Sequence, residues 1–336
     1  LNENGARVAY RGAPDDYITQ IYTRKAVAFI RASAAAGRPF ALYLSPPSPH
    51  DPWTPELEFS SLFPARTAPR GPAFQEADVG DKPPFLRRPL LTTAQVAQLD
   101  DTYRKRLRLL MSVDKMIRSI RAALAESGVL ANTYLIFASD NGWHAGGEHR
   151  LMPNKTYPYD TDLRVPLVMV GPGIKAGAQI ARLVGNADFA PTFAAWARTG
   201  VPVATDGRSL VPLLTAANPA TVPWRKRLPV LRFFDEATAA PVWPVFTRRP
   251  GPTLGYSCLE HLPLRAPVAY RGLRGDRYTY VEYDTGDMML FDNLADPYQL
   301  DNQVCQADAG LLSSRHRLAV DLVACAGATC QAAEDR

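Results

Sequence analysis

Between Thr92 and Gly128 apolar side chains recur every three or four residues, at Val96, Leu99, Tyr103, Leu107, Leu110, Val113, Ile117, Ile120 and Leu124. This spacing predicts one long helix, capped by Thr92 or Thr93 and stopped at Gly128, with a single buried stripe. At 1.5 Å per residue it is about 50 Å long. The run that follows, Thr133-Tyr-Leu-Ile-Phe-Ala138, is apolar without alternation, the pattern of a strand buried on both faces, and it empties into Ser139-Asp140-Asn141-Gly142.

The same alternation extends in both directions. Residues 14–36 read as a surface helix, with Pro14 in its first turn and Gly37 at its end, followed by the strand-length run Pro39–Ser45 and the Pro-rich stretch that carries His50. Residues 55–91 are rich in Pro, Arg and Gly and show no period, which reads as a long surface excursion of the kind that shapes pockets. Val165–Val170 is a further strand ending at Gly171-Pro-Gly173. Strands alternating with helices to about residue 200 predict an α/β fold, a doubly wound and mainly parallel sheet with helices on both faces. Beyond that the pattern changes. Pro229–Phe234, Val268–Arg271, Tyr278–Tyr283 and Met288–Phe291, separated by short turns, predict a small antiparallel sheet, with a helix over Ala307–Ala324 covering one face. The expected division is a domain over 1–215 and a C-terminal subdomain over 216–336.

With 336 residues and 46% hydrophobic side chains the chain is neither disordered nor a disulfide-stapled miniprotein. Its net charge of +5, from 38 basic and 33 acidic residues, is spread along the chain rather than gathered, so nucleic acid is not an expected partner. No apolar stretch approaches the roughly 20 residues of a membrane helix. Of the four cysteines, Cys325 and Cys330 are the favoured disulfide pair, and none stands at zinc-ligand spacing.

In open parallel sheets ligands collect beyond the carboxyl ends of the strands. Asp140 and Asn141 stand there and offer one charged and one neutral hard oxygen, which suit calcium or magnesium rather than zinc. Asp-Asn-Gly is also an ordinary turn sequence. Lys155 lies in the loop that returns toward Val165, where a cation beside a bound metal would neutralise the oxygens of a sulfate or phosphate ester. His144 and His149 share that loop and are candidates to donate hydrogen bonds to an anion. His50, past the end of the earlier strand, is another. Trp53 and Trp143 offer faces on which a sugar ring can stack.

These segments together resemble a known family. Ser139-Asp-Asn-Gly-Trp-His144, Gly147-Glu-His-Arg-Leu151, Lys155 and Asp162–Gly173 look like the second signature region of the type I sulfatases of the alkaline phosphatase superfamily. Leu1–Gly5, Ser48–Thr54, Tyr103–Arg106 with Ser112–Asp114, Asp188–Thr192, Gly207–Leu210 and Leu290–Tyr298 have counterparts there in the same order. The branch they look most like is the N-acetylglucosamine-6-sulfatase-like group. The resemblance implies sulfate ester hydrolysis on a carbohydrate or glycosaminoglycan, an extracytoplasmic location, and a calcium site that includes Asp140 and Asn141. It also implies sulfate contacts from Lys155 and His50, either of which would protonate the leaving oxygen. His144 and His149 fall in the substrate-contacting loop, but Trp143–His149 is one residue longer than the family spacing, which leaves the contact made by each unassigned.

The resemblance also implies a formylglycine nucleophile, made from the first residue of a Cys/Ser-x-Pro/Ala-x-Arg motif. No cysteine here stands in such a motif, and in Ser45-Pro-Pro-Ser-Pro49 a proline takes the place of the arginine. Asp15-Asp16 opens a helix and does not supply the family's upstream pair of metal aspartates. The expectation is therefore a fragment that holds half of a site. A phosphate or phosphonate ester hydrolase of the same superfamily, or a carbohydrate-binding relative without activity, are the alternatives.

Overall fold

The computed structural model describes residues 1–10, 12–13, 16–201, 205–233 and 269–336. In chain order the main elements are β1 (Asn2–Glu3), β2 (Ala6–Arg7), α1 (Ile18–Ala35), α2 (Thr93–Glu126), β3 (Leu135–Ala138), α3 (Asp160–Leu163), β4 (Leu167–Val170), α4 (Phe189–Trp196), α5 (Val211–Thr215), β5 (Arg227–Arg232), β6 (Tyr270–Gly275), β7 (Tyr278–Tyr283), β8 (Met288–Asp292), α6 (Ala309–Ala324) and α7 (Ala328–Asp335). They fall into two compact units. The first holds Leu1–Pro69, Leu91–Phe137 and Val168–Pro172, and the second holds Arg70–Leu90, Ala138–Leu167 and Gly173–Arg336.

In the first unit the long helix has the cap and end that the spacing predicts, but its buried stripe differs in the middle, where Leu109 and Met116 are buried and Leu110 is exposed. Thr92 is its N-cap and accepts from the Gln95 amide, while the Gln95 side chain accepts from the Thr92 amide, so two amides without helical partners are satisfied. Gly128, at φ +72°, follows its end. Val113, Met116, Ile120 and Leu124 of α2 close on Ala26 and Ile30 of α1, with Phe40, Leu44 and Leu135 packed at the edge. Pro14 and Asp15 lie outside the described residues, and α1 begins at Ile18. The run Pro39–Ser45 departs from expectation, since it forms no ladder with any described strand. Phe40 and Leu44 reach the helical core while Tyr43 stands 89% exposed, because an extended segment is a strand only where a neighbour takes its amides and carbonyls. The strand expected over 133–138 shortens to β3, which pairs with β4.

The second unit is built on the antiparallel sheet β5-β6-β7-β8. Tyr278–Tyr283 and Met288–Asp292 match the sequence reading closely, whereas the expected strands reaching Phe234 and Val268 end or begin at residues outside the described set. Because successive side chains alternate, the sheet has two apolar faces. Val281, Tyr283, Met289 and Phe291 face one core with Leu151 and Tyr159, and Tyr280 and Leu290 face another with Leu318, Ala319 and Leu322 of α6. A helix thus covers one face as expected, and the 139–166 loop covers the other. The last helix, α7, was not foreseen. It is tied to α6 by the Cys325–Cys330 disulfide, and Cys305 is disulfide-bonded as well. Its Glu334 joins Arg225 and Asp188, a fully buried group in which Arg225 donates to both Asp188 oxygens at 2.6 Å.

Gly272 crosses β7 so closely that a methyl group there would run into the Tyr280 carbonyl and lie 2.9 Å from the Val281 Cα. We predict that Gly272→Ala destabilises the sheet by about 3 kcal/mol, the upper part of the overpacking range. Amide hydrogen exchange in β6 and β7 measures this, and unchanged protection would contradict it.

Candidate functional site

The loop between β3 and β4 begins with a glycine that the geometry demands. The Gly142 amide donates to the Asp162 carbonyl at 2.8 Å and the Trp143 amide to the Thr161 carbonyl at 3.0 Å, so the start and end of the loop lie against each other. A Cβ on Gly142 would strike the Thr161 carbonyl and come within 2.7 Å of the Asp162 carbonyl oxygen. Asp140 and Asn141 therefore stand on a fixed turn. The Asn186 side chain adds to it by donating to the Ser139 and Asp140 carbonyls.

Asp140 is exposed, and its Oδ1 accepts from the Asn141 amide at 2.9 Å, which leaves Oδ2 without a hydrogen bond among the described residues. Asn141 spends its Nδ2 on the Gly142 carbonyl at 2.7 Å and leaves its Oδ1 unspent in the same sense. Two hard oxygens are thus open at the strand end. In kind they fit a hard dication, and in number they are part of the six to eight oxygens calcium takes. No group of three or more His, Cys, Asp or Glu side chains able to hold a metal occurs among the described residues.

His144 and Asn154 exchange backbone hydrogen bonds, which clips the loop across its middle and returns Lys155 beside the arm that carries Asp140. Lys155 is exposed, and its ammonium makes no hydrogen bond among the described residues. The two histidines are placed otherwise. Neither imidazole is open to a ligand, with His144 at 0% and His149 at 3% exposure. His144 Nε2 donates to the Glu148 carbonyl at 2.8 Å, and its Nδ1 lies 3.2 Å from Asp162 Oδ2 and 3.1 Å from Thr161 Oγ1. Burial disfavours the imidazolium, but the hydrogen bond to Asp162 and the charges of Asp162 and Glu148 outweigh it and hold the His144 pKa above the ordinary value. His149 stacks on Tyr159 at 4.0 Å and donates from Nδ1 to Glu76 Oε2 at 2.7 Å. There burial wins over Glu76, and the His149 pKa is lowered.

In the first unit, His50 sits in an exposed turn with cis bonds before Pro49 and Pro52, its Nδ1 2.7 Å from Asp51 Oδ1. Arg106 of α2 steadies that turn by donating to the Pro49 carbonyl. Trp53 Nε1 is buried without a hydrogen bond, and Trp143 is half-buried.

Several residues that hold the loop were missed in the sequence. Glu76, Asp81 and Lys82 lie in the aperiodic 55–91 stretch, where charged residues between prolines read as solvated. Their pairing spans too few residues to leave a period, and only the apolar neighbours Ala73 and Val79, both buried, hint at burial.

Comparison with known proteins defines first the fold and then the family. A protein solved in complex with its substrate D-glucosamine-2-N,6-O-disulfate superposes with a TM-score of 0.69 at 23% identity, over 94% of this chain and 70% of that one. The phosphonate monoester hydrolase of Silicibacter pomeroyi gives 0.68 at 23%, over 93% and 60%. The α/β fold with helices and a small C-terminal antiparallel sheet is therefore the one expected from sequence. The Sulfatase family profile matches residues 2–200, more than half of the chain, and the chain belongs to that family. The arylsulfatase of Volvox carteri is 38% identical over 231 residues, which cover 61% of this chain and 35% of that protein. N-acetylglucosamine-6-sulfatase of Bos taurus is 29% identical over 327 residues, 94% of this chain and 57% of that protein. The chain thus spans between about a third and three fifths of these relatives' length.

The opposite shifts of the two histidines predict that their combined contribution to stability is greatest near the ordinary imidazole value of 6.5. A raised pKa gives stability that is full below about pH 6.5 and is lost as pH climbs through the folded-state value, which is the His144 limb. A lowered pKa gives stability that is full above about pH 6.5 and is lost as pH falls toward the folded-state value, which is the His149 limb. In denaturant titrations, His144→Gln is expected to flatten the alkaline limb and His149→Gln the acid limb. Unchanged slopes would contradict the assignment.

Proposed function

We propose that this chain carries part of the active site of a sulfatase that hydrolyses sulfate esters on a carbohydrate, with residues 1–215 contributing to the catalytic domain and 216–336 forming its C-terminal subdomain. The observation that carries the reading is the β3–β4 loop, which buries both histidines and leaves the Asp140 and Asn141 oxygens and the Lys155 ammonium without hydrogen bonds among the described residues. Family membership, and similarity over 94% of the chain to an N-acetylglucosamine-6-sulfatase, support a sulfated amino sugar as the substrate class.

In this reading Asp140 Oδ2 and Asn141 Oδ1 are two of the ligands to a calcium ion, which when bound supplies positive charge to the sulfate oxygens. Lys155 Nζ pairs with a sulfate oxygen that carries charge as the S–O bond breaks, and in the same reading it gives its proton to the departing sugar oxygen. His50 is assigned the same kind of contact on the strength of the sequence resemblance alone. His144 and His149, first read as substrate contacts, act through the loop they hold. The formylglycine that the family uses as nucleophile has no counterpart motif in these 336 residues. Disulfides at Cys325–Cys330 and Cys305 support an oxidising, extracytoplasmic setting. No helix among the described residues is long and apolar enough to cross a membrane.

Two outcomes are expected of the purified chain. D-glucosamine 6-sulfate binds while D-glucosamine does not, and Lys155→Ala weakens that binding by about tenfold, the equivalent of 1.4 kcal/mol. Equal binding of both sugars by calorimetry would overturn the reading. The chain alone also leaves 4-nitrophenyl sulfate intact and binds calcium more weakly than about 1 mM, since most of the ligand oxygens are lacking. Turnover of the aryl sulfate would show that the nucleophile lies within this sequence.

A further inference from the structure

The residues that hold the loop belong to the stretch that looked like an open excursion. Phe74 bridges Glu148, the Gln75 amide donates to the Gly147 carbonyl at 2.7 Å, and the His149 amide donates to the Ala73 carbonyl at 2.8 Å. Segment 70–90 is therefore a splint laid along the loop. Beneath it runs a buried polar chain. His149 Nδ1 donates to Glu76 Oε2, and Glu76 Oε1 accepts from Lys82 Nζ at 2.9 Å. Lys82, 0% exposed, also donates to both oxygens of Asp81 and to the Leu300 carbonyl. Asp81 in turn accepts from the Asn302 amide at 2.6 Å, and Asn302 Oδ1 accepts from the Leu290 amide of β8 at 2.8 Å. An unbroken line of hydrogen bonds connects the sheet to His149.

The place where that line ends is conformationally costly. His149 and Arg150 both hold left-handed backbone, φ +52° and +59°, a pair of consecutive non-glycine residues in a region that L side chains rarely occupy. Such a turn persists only where its surroundings over-determine it. Arg150 contributes by donating to the Glu76 carbonyl at 2.7 Å, so Glu76 grips both residues, one by its carboxylate and one by its backbone. After the turn the chain passes back to Asn154, opposite His144, and then to Lys155.

We propose that Glu76, held in place by Lys82, is a positioning residue for Lys155: by fixing the left-handed turn at His149 it sets where the Lys155 ammonium stands. The proposal rests on the reading that Lys155 faces a sulfate group. A neutral amide in place of the Glu76 carboxylate offers a weaker acceptor to His149 and no charge to Lys82, so the turn is no longer dictated.

The test compares Glu76→Gln with Leu322→Ala in the 336-residue chain. Leu322 of α6 is a buried residue of the same unit, in the core on the other face of the sheet, which includes no residue of the splint or the loop. The amide signals of Asn154 and Lys155 are expected to shift, and their hydrogen exchange to quicken at least tenfold, in Glu76→Gln but not in Leu322→Ala. Affinity for D-glucosamine 6-sulfate is expected to fall about as far as in Lys155→Ala. Where Glu76→Gln yields no folded chain, Glu76→Asp, with the same charge but one methylene short of His149, makes the same comparison. Exchange at Asn154 and Lys155 that moves no more than in Leu322→Ala would overturn the positioning role. Absence of sugar binding by the unaltered chain would instead overturn the sulfate reading, and the exchange measurement would still decide the role of Glu76.

Discussion

The second unit depends on a buried lysine. Lys82 is closed off from water entirely, and a bare ammonium in such a place would be strongly disfavoured. It persists because Glu76, Asp81 and the Leu300 carbonyl supply acceptors on every side. Breaking a pair of this kind costs more than the pair itself contributes, because it strands the remaining charge. Everything that meets at Lys82 is therefore locked together: the 70–90 segment that contains it, the stretch after β8 through Asn302, and the loop through His149. The loop is held from below by Leu151 and Tyr159 in the core and from the side by this polar line. Asp140 and Lys155 are among its exposed groups, with Asn154, Thr161 and Arg164, and Asn141 is half-buried.

A division of labour within the loop follows from this. Residues that resemble catalytic groups by type, the two histidines, are buried and occupied, while a turn carboxylate, a turn amide and a lysine keep polar atoms without hydrogen bonds among the described residues. Only open groups can meet a substrate or a cation, and the proposed chemistry is assigned to them for that reason. In the proposed reading the histidines enter through rigidity, and their opposite pKa shifts follow from the balance at each ring: at His144 burial is outweighed by the Asp162 and Glu148 charges and hydrogen bonds, and at His149 burial outweighs Glu76.

How much of this was legible in the sequence depends on the range of each interaction. The long helix was clear because its pattern repeats nine times within one element, and the hairpin strands 278–283 and 288–292 because alternation and turn residues agree. The stretch 39–45 failed as a strand since its neighbours decide that, not its composition. Asp140, Asn141 and Lys155 could be proposed as site residues because a strand end followed by hard-oxygen residues is a local signal. Glu76, Asp81 and Lys82 were not, because their partners at His149, Leu300 and Asn302 lie about 70 to more than 200 residues away. A charged residue destined for burial looks, in sequence, like one destined for solvent.

The central claim is that the carboxyl end of β3 offers its oxygens to a cation within reach of the Lys155 arm. Titration with Mn²⁺, a paramagnetic hard dication, tests it most directly by broadening the amide signals nearest the ion. The account predicts that Asp140, Asn141 and Gly142 fade first, that Lys155 follows, and that Asp140→Asn abolishes the effect. Broadening centred on another acidic group, such as Glu56 and Glu58 in the first unit, with the 140–142 signals unaffected, would contradict it.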